Sequence, residues 1–293
     1  MKSFNEIYQE VYKDCQYSLE HARKQALIGS TTVMSIIIII ASVLGIMTNT
    51  PFFIIGGIVL CFLYYRYNNK RSKYTNMFKQ NVITKFVKAY SPNLEFQPNR
   101  SITPSVYRQG EFESFDIFYG EDAIIGTLED GNVISMSEVK AVREDRDSDG
   151  DKTYTTVFHG MFAEVRLPKL VCANIKIRRD QILFESKNRV EMDSGEFEKK
   201  FSVFSTNPII AMQLLTADIM QMFLDFKEKN KITPELTIKS DKMYIRFHTG
   251  DVFEANVMKR ALDFDTLLKY YNIITFTLEI TEKMAKNIKE TEI

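Results

Sequence analysis

The stretch that decides the fold is QALIGSTTVMSIIIIIASVLGIMTNTPFFIIGGIVLCFLYY, residues 25–65, which contains no charged side chain. As a single helix it would reach about 60 Å at about 1.5 Å per residue, roughly twice the thickness of a bilayer core. Polar turn formers meet a proline at residues 48–51, where the chain is expected to fold back. We therefore predict a transmembrane hairpin with spans over about 26–47 and 52–66. A buried hairpin in a soluble core is the alternative, and five consecutive isoleucines at 36–40 argue against it.

Basic residues at both flanks set the orientation of this predicted hairpin. Arg23 and Lys24 precede it, residues 66–94 hold seven basic and no acidic side chains, and the turn is uncharged. The positive-inside rule then places both termini in the cytoplasm. Neither span contains an ionisable residue, which favours an anchor over a transporter. The residues predicted to lie at the membrane interface are Tyr64, Tyr65, Arg66, Tyr67, Lys70, Arg71 and Lys73.

Two amphipathic helices flank the predicted spans and complete an N-terminal region over residues 1–90. Apolar residues recur at helical spacing over 3–24 and again over 67–90. Because both helices leave the membrane on the same side, we expect their apolar stripes to pack together as a stalk. The alternative is that the basic helix 67–90 binds anionic lipid headgroups.

The remaining chain predicts a cytoplasmic α+β domain over 106–293, reached through a proline-containing linker over 91–105. Short β-like runs come first, a helix follows from 208 to 229, then a hairpin across residues 240–241, and a last helix from about 264 to 289. This order favours a mostly antiparallel sheet with C-terminal helices, and a barrel like that of pleckstrin-homology domains is one version of it. The predicted strands are 112–119, 123–129, 132–143, 153–166, 174–178, 181–186, 199–205, 235–239 and 243–248.

Composition excludes several classes of protein. The 22 Phe and 14 Tyr residues supply enough apolar surface to exclude intrinsic disorder. Equal numbers of basic and acidic residues, 38 each, argue against a nucleic-acid partner. Three distant cysteines exclude a disulfide scaffold or a zinc ribbon. No nucleophile elbow, Walker loop or dinucleotide-binding glycine motif is present, so no catalytic residue or cofactor is predicted and an enzyme is disfavoured.

One local motif points to a metal ion. Asp145, Asp147, Asp149 and Asp151 have the spacing that begins an EF-hand calcium loop. Position twelve of that loop, normally glutamate, is Thr156, and the flanks are strand-like. We therefore favour a solvated hairpin loop, with a calcium site unlike an EF-hand as the alternative. The histidines, His21, His159 and His248, lack metal-type spacing, so each is interpreted as a packed or surface residue.

Several segments together resemble one bacterial family of two-span membrane proteins, labelled domain of unknown function 3137. They are GED at 120–122 with Gly126, ISMSEV at 134–139, VFHGMF at 157–162, EFEKKFSVFS at 196–205 and AMQLLT at 211–216. The resemblance covers residues 90–280 and the preceding anchor. It implies location at the bacterial inner membrane and a LemA-family membrane protein as a partner, but no activity.

Two of the matched segments also have fold explanations. Phe197, Phe201 and Val203 alternate with polar residues and are predicted to form the buried face of one strand. Gly160 stands between two phenylalanines and is predicted to mark a bulge or a close backbone approach.

The sequence as a whole favours a membrane-anchored interaction or scaffold module with a protein partner. The alternatives are a membrane-tethered enzyme with a site built from distant carboxylates, and a lipid or small-ligand sensor that uses the basic helix.

Overall fold

The computed structural model describes residues 2–27, 39–40, 43, 64–65, 68–128, 131–146, 150–180 and 188–291. The chain forms two compact units. The helical unit combines Met1–Tyr90 with Phe253–Leu267, and the sheet unit combines Ser91–Val252 with Leu268–Ile293.

Two long helices build the helical unit. Helix α1 spans Phe4–Leu27, and helix α2 spans residues 68–90, with one π-helical turn at Lys79–Ile83. A capping box starts α1, because the Glu6 carboxylate accepts from the Ser3 backbone N–H at 2.7 Å.

The two helices run antiparallel. The Cys15 thiol donates to the Asn81 carbonyl at 3.4 Å, the Lys85 ammonium lies 2.9 Å from the Asp14 carboxylate, and the Phe4 and Phe86 rings meet edge to face. Early residues of α1 therefore contact late residues of α2. This geometry confirms the predicted packing of stripe on stripe. The buried apolar residues of the pair include Ile7, Val11, Leu19, Tyr74, Phe78, Val82 and Phe86.

The sheet unit is a mixed helix and antiparallel-strand structure, which confirms the α+β class. Its strands are β1 Leu94–Gln97, β2 Ile117–Thr127, β3 Val133–Arg146, β4 Lys152–Arg179, β5 Arg189–Val190, β6 Phe201–Ser205 and β7 Pro234–Phe247. The helices outside the N-terminal pair are α3 Pro104–Gln109, α4 Gly195–Glu198, α5 Pro208–Leu214, α6 Ala217–Asn230 and α7 Phe264–Glu290.

Strand β4 organises the sheet because its two halves pair with different neighbours. Its first half pairs with β3 and β7, and its second half pairs with β6 and β7. The order β1-β2-β3-β4-β6-β5 results, with β7 beside β4. Among the described strands no pairing closes this sheet into a barrel, so the pleckstrin-homology-like version of the prediction is corrected to an open sheet.

Aromatic residues cover both faces of the sheet. On one face, Tyr107 of α3 packs against Phe158 and Phe162 of β4. On the other, Phe226 of α6, Phe247 of β7 and Phe276 of α7 form one cluster, with ring centroids 4.5–5.8 Å apart. Each face is thus closed by rings from elements that are distant in sequence.

Several predicted strand boundaries differ from the structure. The hairpin expected at residues 240–241 is one continuous strand, because β7 extends along β4 past an irregularity at Ser240, whose φ is +56°. The predicted strands 112–119 and 123–129 are likewise parts of one strand, β2, which begins only at Ile117 and has a bulge after Glu121. Phe197 is buried in the short helix α4 rather than in a strand, although its ring stacks on Phe201.

The predicted linker 91–105 also differs from the structure. Residues 94–97 form β1, which pairs with β2, and the sheet unit begins at Ser91. The prolines that suggested a linker flank this short edge strand, where a missing N–H is tolerated.

The predicted spans lie mostly outside the described residues. In the part of the chain that the structure describes, we find no single helix with the length and apolar character needed to cross a membrane. The pair α5 and α6 meets that requirement only when the two are taken together, and it is bent by 70° between them.

Candidate functional site

Three side chains from separate segments of the sheet unit converge at one point. Glu138 lies on β3, His159 lies on β4, and Asp251 follows β7. The His159 Nε2 atom is 3.0 Å from Asp251 Oδ1 and 3.6 Å from Glu138 Oε1. One potential ligand atom from each residue lies within 4.8 Å of the other two.

Backbone contacts on both sides of Asp251 hold this arrangement. The Gly250 N–H donates to the His159 carbonyl at 3.2 Å, and the Val252 N–H donates to Glu138 Oε2 at 2.7 Å. Gly160 permits this approach, because a Cβ atom there would collide with backbone atoms of Phe247 and Thr249. The predicted close backbone approach at Gly160 is therefore observed.

Burial and charge dominate the electrostatics of Glu138. Only 7% of its side chain is exposed. Burial, together with the nearby carboxylates of Asp122 and Asp251, raises the pKa of Glu138 to about 8, although the Val252 N–H partly opposes this. The β2 bulge explains the proximity of Asp122, since Glu121 pairs with Glu138 and the register shifts directly afterwards.

The sequence does not predict this cluster. The interpretation of His159 as a packed or surface residue is incomplete, because its ring lies near two carboxylates. His21 instead contacts Gln25 of its own helix, and His248 packs edge to face on Phe158. Gly160, directly after His159, and the turn at Thr249–Asp251 are the sequence features that lie at this cluster. The sequence alone does not predict that these two segments are in contact.

A second charged arrangement lies on the opposite face of the sheet and has a structural role. Arg246 of β7 is buried and forms ion pairs with Glu113 and Glu235. Its guanidinium and that of Arg178 each lie 4.2 Å from the centre of the Phe112 ring. Both cations are thus held by aromatic stacking and hydrogen bonds within the fold.

A polar cavity of about 340 Å³ lies beside this arrangement. Charged residues of its wall form ion pairs within the fold. Glu111, at its wall, pairs with Lys176 at 2.8 Å and with Lys239. Hydrogen bonds from these lysines lower the pKa of Glu111 to about 2. The cavity therefore has little uncompensated charge with which to attract an ionic ligand.

The structure describes only some of the residues that are predicted to lie at the membrane interface. Tyr64 and Tyr65 are helical and exposed, Arg71 and Lys73 are exposed, and Lys70 is half-buried. Arg66 and Tyr67 lie outside the described residues.

Farther along α2, the basic residues do not all face outward. Lys79 is buried and pairs with Glu254 at 2.8 Å, while Lys85 pairs with Asp14. Lys79 is therefore not available to an anionic surface, whereas the Lys85 side chain remains 44% exposed.

The acidic loop is also described only in part. Asp147 and Asp149 lie outside the described residues. Asp145 is held by Arg143 at 3.1 Å, and Asp151 is exposed at the start of β4. The calcium site at this loop stays a prediction.

Residues 156–286 match the family described as "Protein of unknown function (DUF3137)". Over these residues the chain matches the model of that family, and the match supports the family label. This confirms the resemblance for the motifs at 157–162, 196–205 and 211–216, which lie inside the matched residues. The matched range includes His159 and Asp251, and Glu138 precedes it.

No curated protein sequence matches the chain. A solved structure, the mycobacterial trehalose monomycolate transport factor A (TtfA), is similar at 7% identity and a TM-score of 0.41. The alignment covers 73% of this chain and 93% of that one.

Proposed function

We propose that the protein is a membrane-anchored interaction module, held at the bacterial inner membrane with both termini in the cytoplasm. The antiparallel pairing of α1 and α2 carries this proposal. The end of α1, Leu27, and the start of α2, residue 68, lie at the same end of the helix pair. The uncharged segment between them therefore begins and ends at the same end of the helix pair, as a membrane hairpin requires.

Exposed apolar side chains within that segment support an anchor. The described residues Ile39, Ile40 and Val43 are helical, and each is more than half exposed, at 62%, 54% and 51%. Three neighbouring exposed aliphatic side chains would be costly in water and favourable in a bilayer. Exposed Tyr64 and Tyr65 fit an interfacial position.

The membrane part of the proposal is tested by labelling spheroplasts with a membrane-impermeant maleimide. Asn49→Cys, at the predicted turn, is placed in a chain whose native cysteines are changed to serine. Cys172, exposed on the sheet unit, is the matched reporter in a second chain. We expect position 49 to be labelled in intact spheroplasts and Cys172 only after permeabilisation. Labelling of Cys172 in intact spheroplasts, or release of the protein by alkaline carbonate, would contradict the topology.

The interaction part needs its own experiment. The family resemblance makes a LemA-family membrane protein the first partner to test. We expect the full-length chain and the LemA-family protein of the same organism to co-purify from mild detergent in either direction of capture. Failure in both directions would remove this partner and leave the anchor unaffected.

A further inference from the structure

We propose that Glu138, His159 and Asp251 form a binding site for one divalent transition-metal ion, such as Zn²⁺ or Mn²⁺. Nothing in the proposed anchoring or partner binding requires this site. The inference therefore goes beyond the proposed function and is tested separately from it.

The spacing of the donor atoms fits one ion. The imidazole nitrogen lies 3.0 Å from one carboxylate oxygen and 3.6 Å from the other. Ligand bonds of about 2.0–2.2 Å in tetrahedral or octahedral geometry place adjacent ligand atoms roughly 3.0–3.5 Å apart. The imidazole nitrogen therefore already stands near both carboxylate oxygens at about the separations that a bound ion would impose, and the two carboxylates offer oxygens within 4.8 Å of each other.

The site is built by the fold rather than by flexible surface groups. Only 7% of the Glu138 side chain is exposed, and the Val252 N–H holds one of its oxygens. Its other oxygen points at His159. The Gly250 contact to the His159 carbonyl holds the loop that carries Asp251. Two of the three ligands thus have their positions set by backbone hydrogen bonds, as second-shell partners do in metal sites.

Charge favours a cation at this point. Among the described residues, the His159 ring is the one basic group within 4 Å of the carboxylates of Glu138 and Asp251. Glu121 and Asp122 lie near enough to act on Glu138 by their charge. A buried carboxylate without a cation is costly, and a divalent ion bound between Glu138 and Asp251 would compensate both.

The donor set indicates the class of metal. One imidazole and two carboxylates suit borderline divalent ions of the first transition row, whereas Ca²⁺ prefers oxygen ligands alone. The Asp251 side chain is 68% exposed, so water can occupy the remaining coordination positions. The site resembles an open centre more than a closed structural one.

The experiment is a calorimetric titration of the full-length protein in detergent, purified through a tag without histidine and stripped with chelator. Zn²⁺, Mn²⁺ and Ca²⁺ are the probes. Asp251→Asn and His159→Gln are compared with the control Asp193→Asn, an exposed aspartate in the loop after β5. Thermal unfolding of each variant reports whether it folds, and exposed Asp251 tolerates its substitution even if His159→Gln does not fold.

We expect saturable 1:1 binding of Zn²⁺ or Mn²⁺ that the control leaves unchanged. Each site substitution should weaken it at least about tenfold, because even outer-shell partners of metal ligands are worth ten- to hundredfold. Absence of Zn²⁺ and Mn²⁺ binding, or binding that Asp251→Asn leaves intact, would overturn the site. Tighter binding of Ca²⁺ through Asp251 would overturn the assigned class of metal.

Discussion

At the scale of single residues, Gly160 occupies a position where the sheet unit leaves no room for a side chain. Its φ is +154°, and backbone atoms of Phe247 and Thr249 fill the space that a Cβ would need. The same approach brings the Thr249–Asp251 loop to His159. One missing methyl group thus permits both the pairing of two strands and the convergence of the candidate metal ligands.

We predict that Gly160→Ala lowers the free energy of unfolding by about 2–4 kcal/mol, because the new methyl group displaces backbone rather than a flexible side chain. Gly195→Ala is the matched control, since a Cβ there meets nothing within 4 Å. Urea unfolding of the full chain in mild detergent measures both. Equal stability of the two variants would contradict this account of Gly160.

Glu111 gives a prediction about pH. Its pKa is lowered to about 2 by Lys176 and Lys239, so its stabilising effect is present above the unfolded pKa of about 4.5. That effect disappears as the pH falls from about 4.5 toward 2. We expect Glu111→Gln to cost about 1–2 kcal/mol at pH 7, allowing for its partial exposure, and progressively less below pH 4.5. Unfolding by urea at several pH values tests this, with exposed Glu228→Gln as the control. A cost that does not change with pH would disprove the linkage.

At the scale of elements, the pairing of β4 with β7 decides the sheet. Ser and Asp are frequent in turns, so Ser240 and Asp241 predict a hairpin at this point of the sequence. In the structure Ser240 adopts a left-handed φ without reversing the chain, because β7 pairs with β4 on both sides of it. Long-range strand pairing has overridden a local turn preference, as β structure often does.

Arg246 connects β7 to the segment that follows α3, through Glu113, and to the start of its own strand, through Glu235. We predict that Arg246→Met lowers the free energy of unfolding by about 3–5 kcal/mol, because buried Glu235 loses its compensating charge. Arg166→Met is the control, because that side chain is 72% exposed and pairs with Asp241 at 3.5 Å. It should cost less than about 1 kcal/mol.

The double variant Arg246→Met with Glu235→Gln should recover part of the lost stability, since it removes the buried charge as well. Chemical unfolding in one detergent measures the stability of the unchanged chain, the two single variants and the double variant. A double variant no more stable than Arg246→Met alone would rule out this explanation.

At the scale of the whole molecule, α1 and α2 define where the uncharged segment starts and ends. Helices in contact lie about 8–10 Å apart, so a short linker can join Leu27 to residue 68. We predict that replacing residues 28–63 with about eight Gly and Ser residues gives a chain that stays in the supernatant after ultracentrifugation without detergent. Circular dichroism should retain the helical signal. A shortened chain that still sediments with membranes would show that the anchor lies elsewhere.

The sequence by itself determined features that depend on local pattern. The uncharged run of residues 25–65 and the helical periodicity of α1 and α2 follow from spacing and composition. The α+β class followed from alternating apolar residues and from the change of period near Pro208. Such features need only neighbouring residues to be recognised.

Only the tertiary structure decided the features that depend on contacts between distant segments. Glu138, His159 and Asp251 are separated by many residues and meet because β3, β4 and the end of β7 lie side by side. The continuity of β7 and the incorporation of β1 into the sheet have the same origin. Hydrogen bonds between distant strands are not encoded in any local spacing, so neither the cluster nor the open sheet could be derived from the sequence alone.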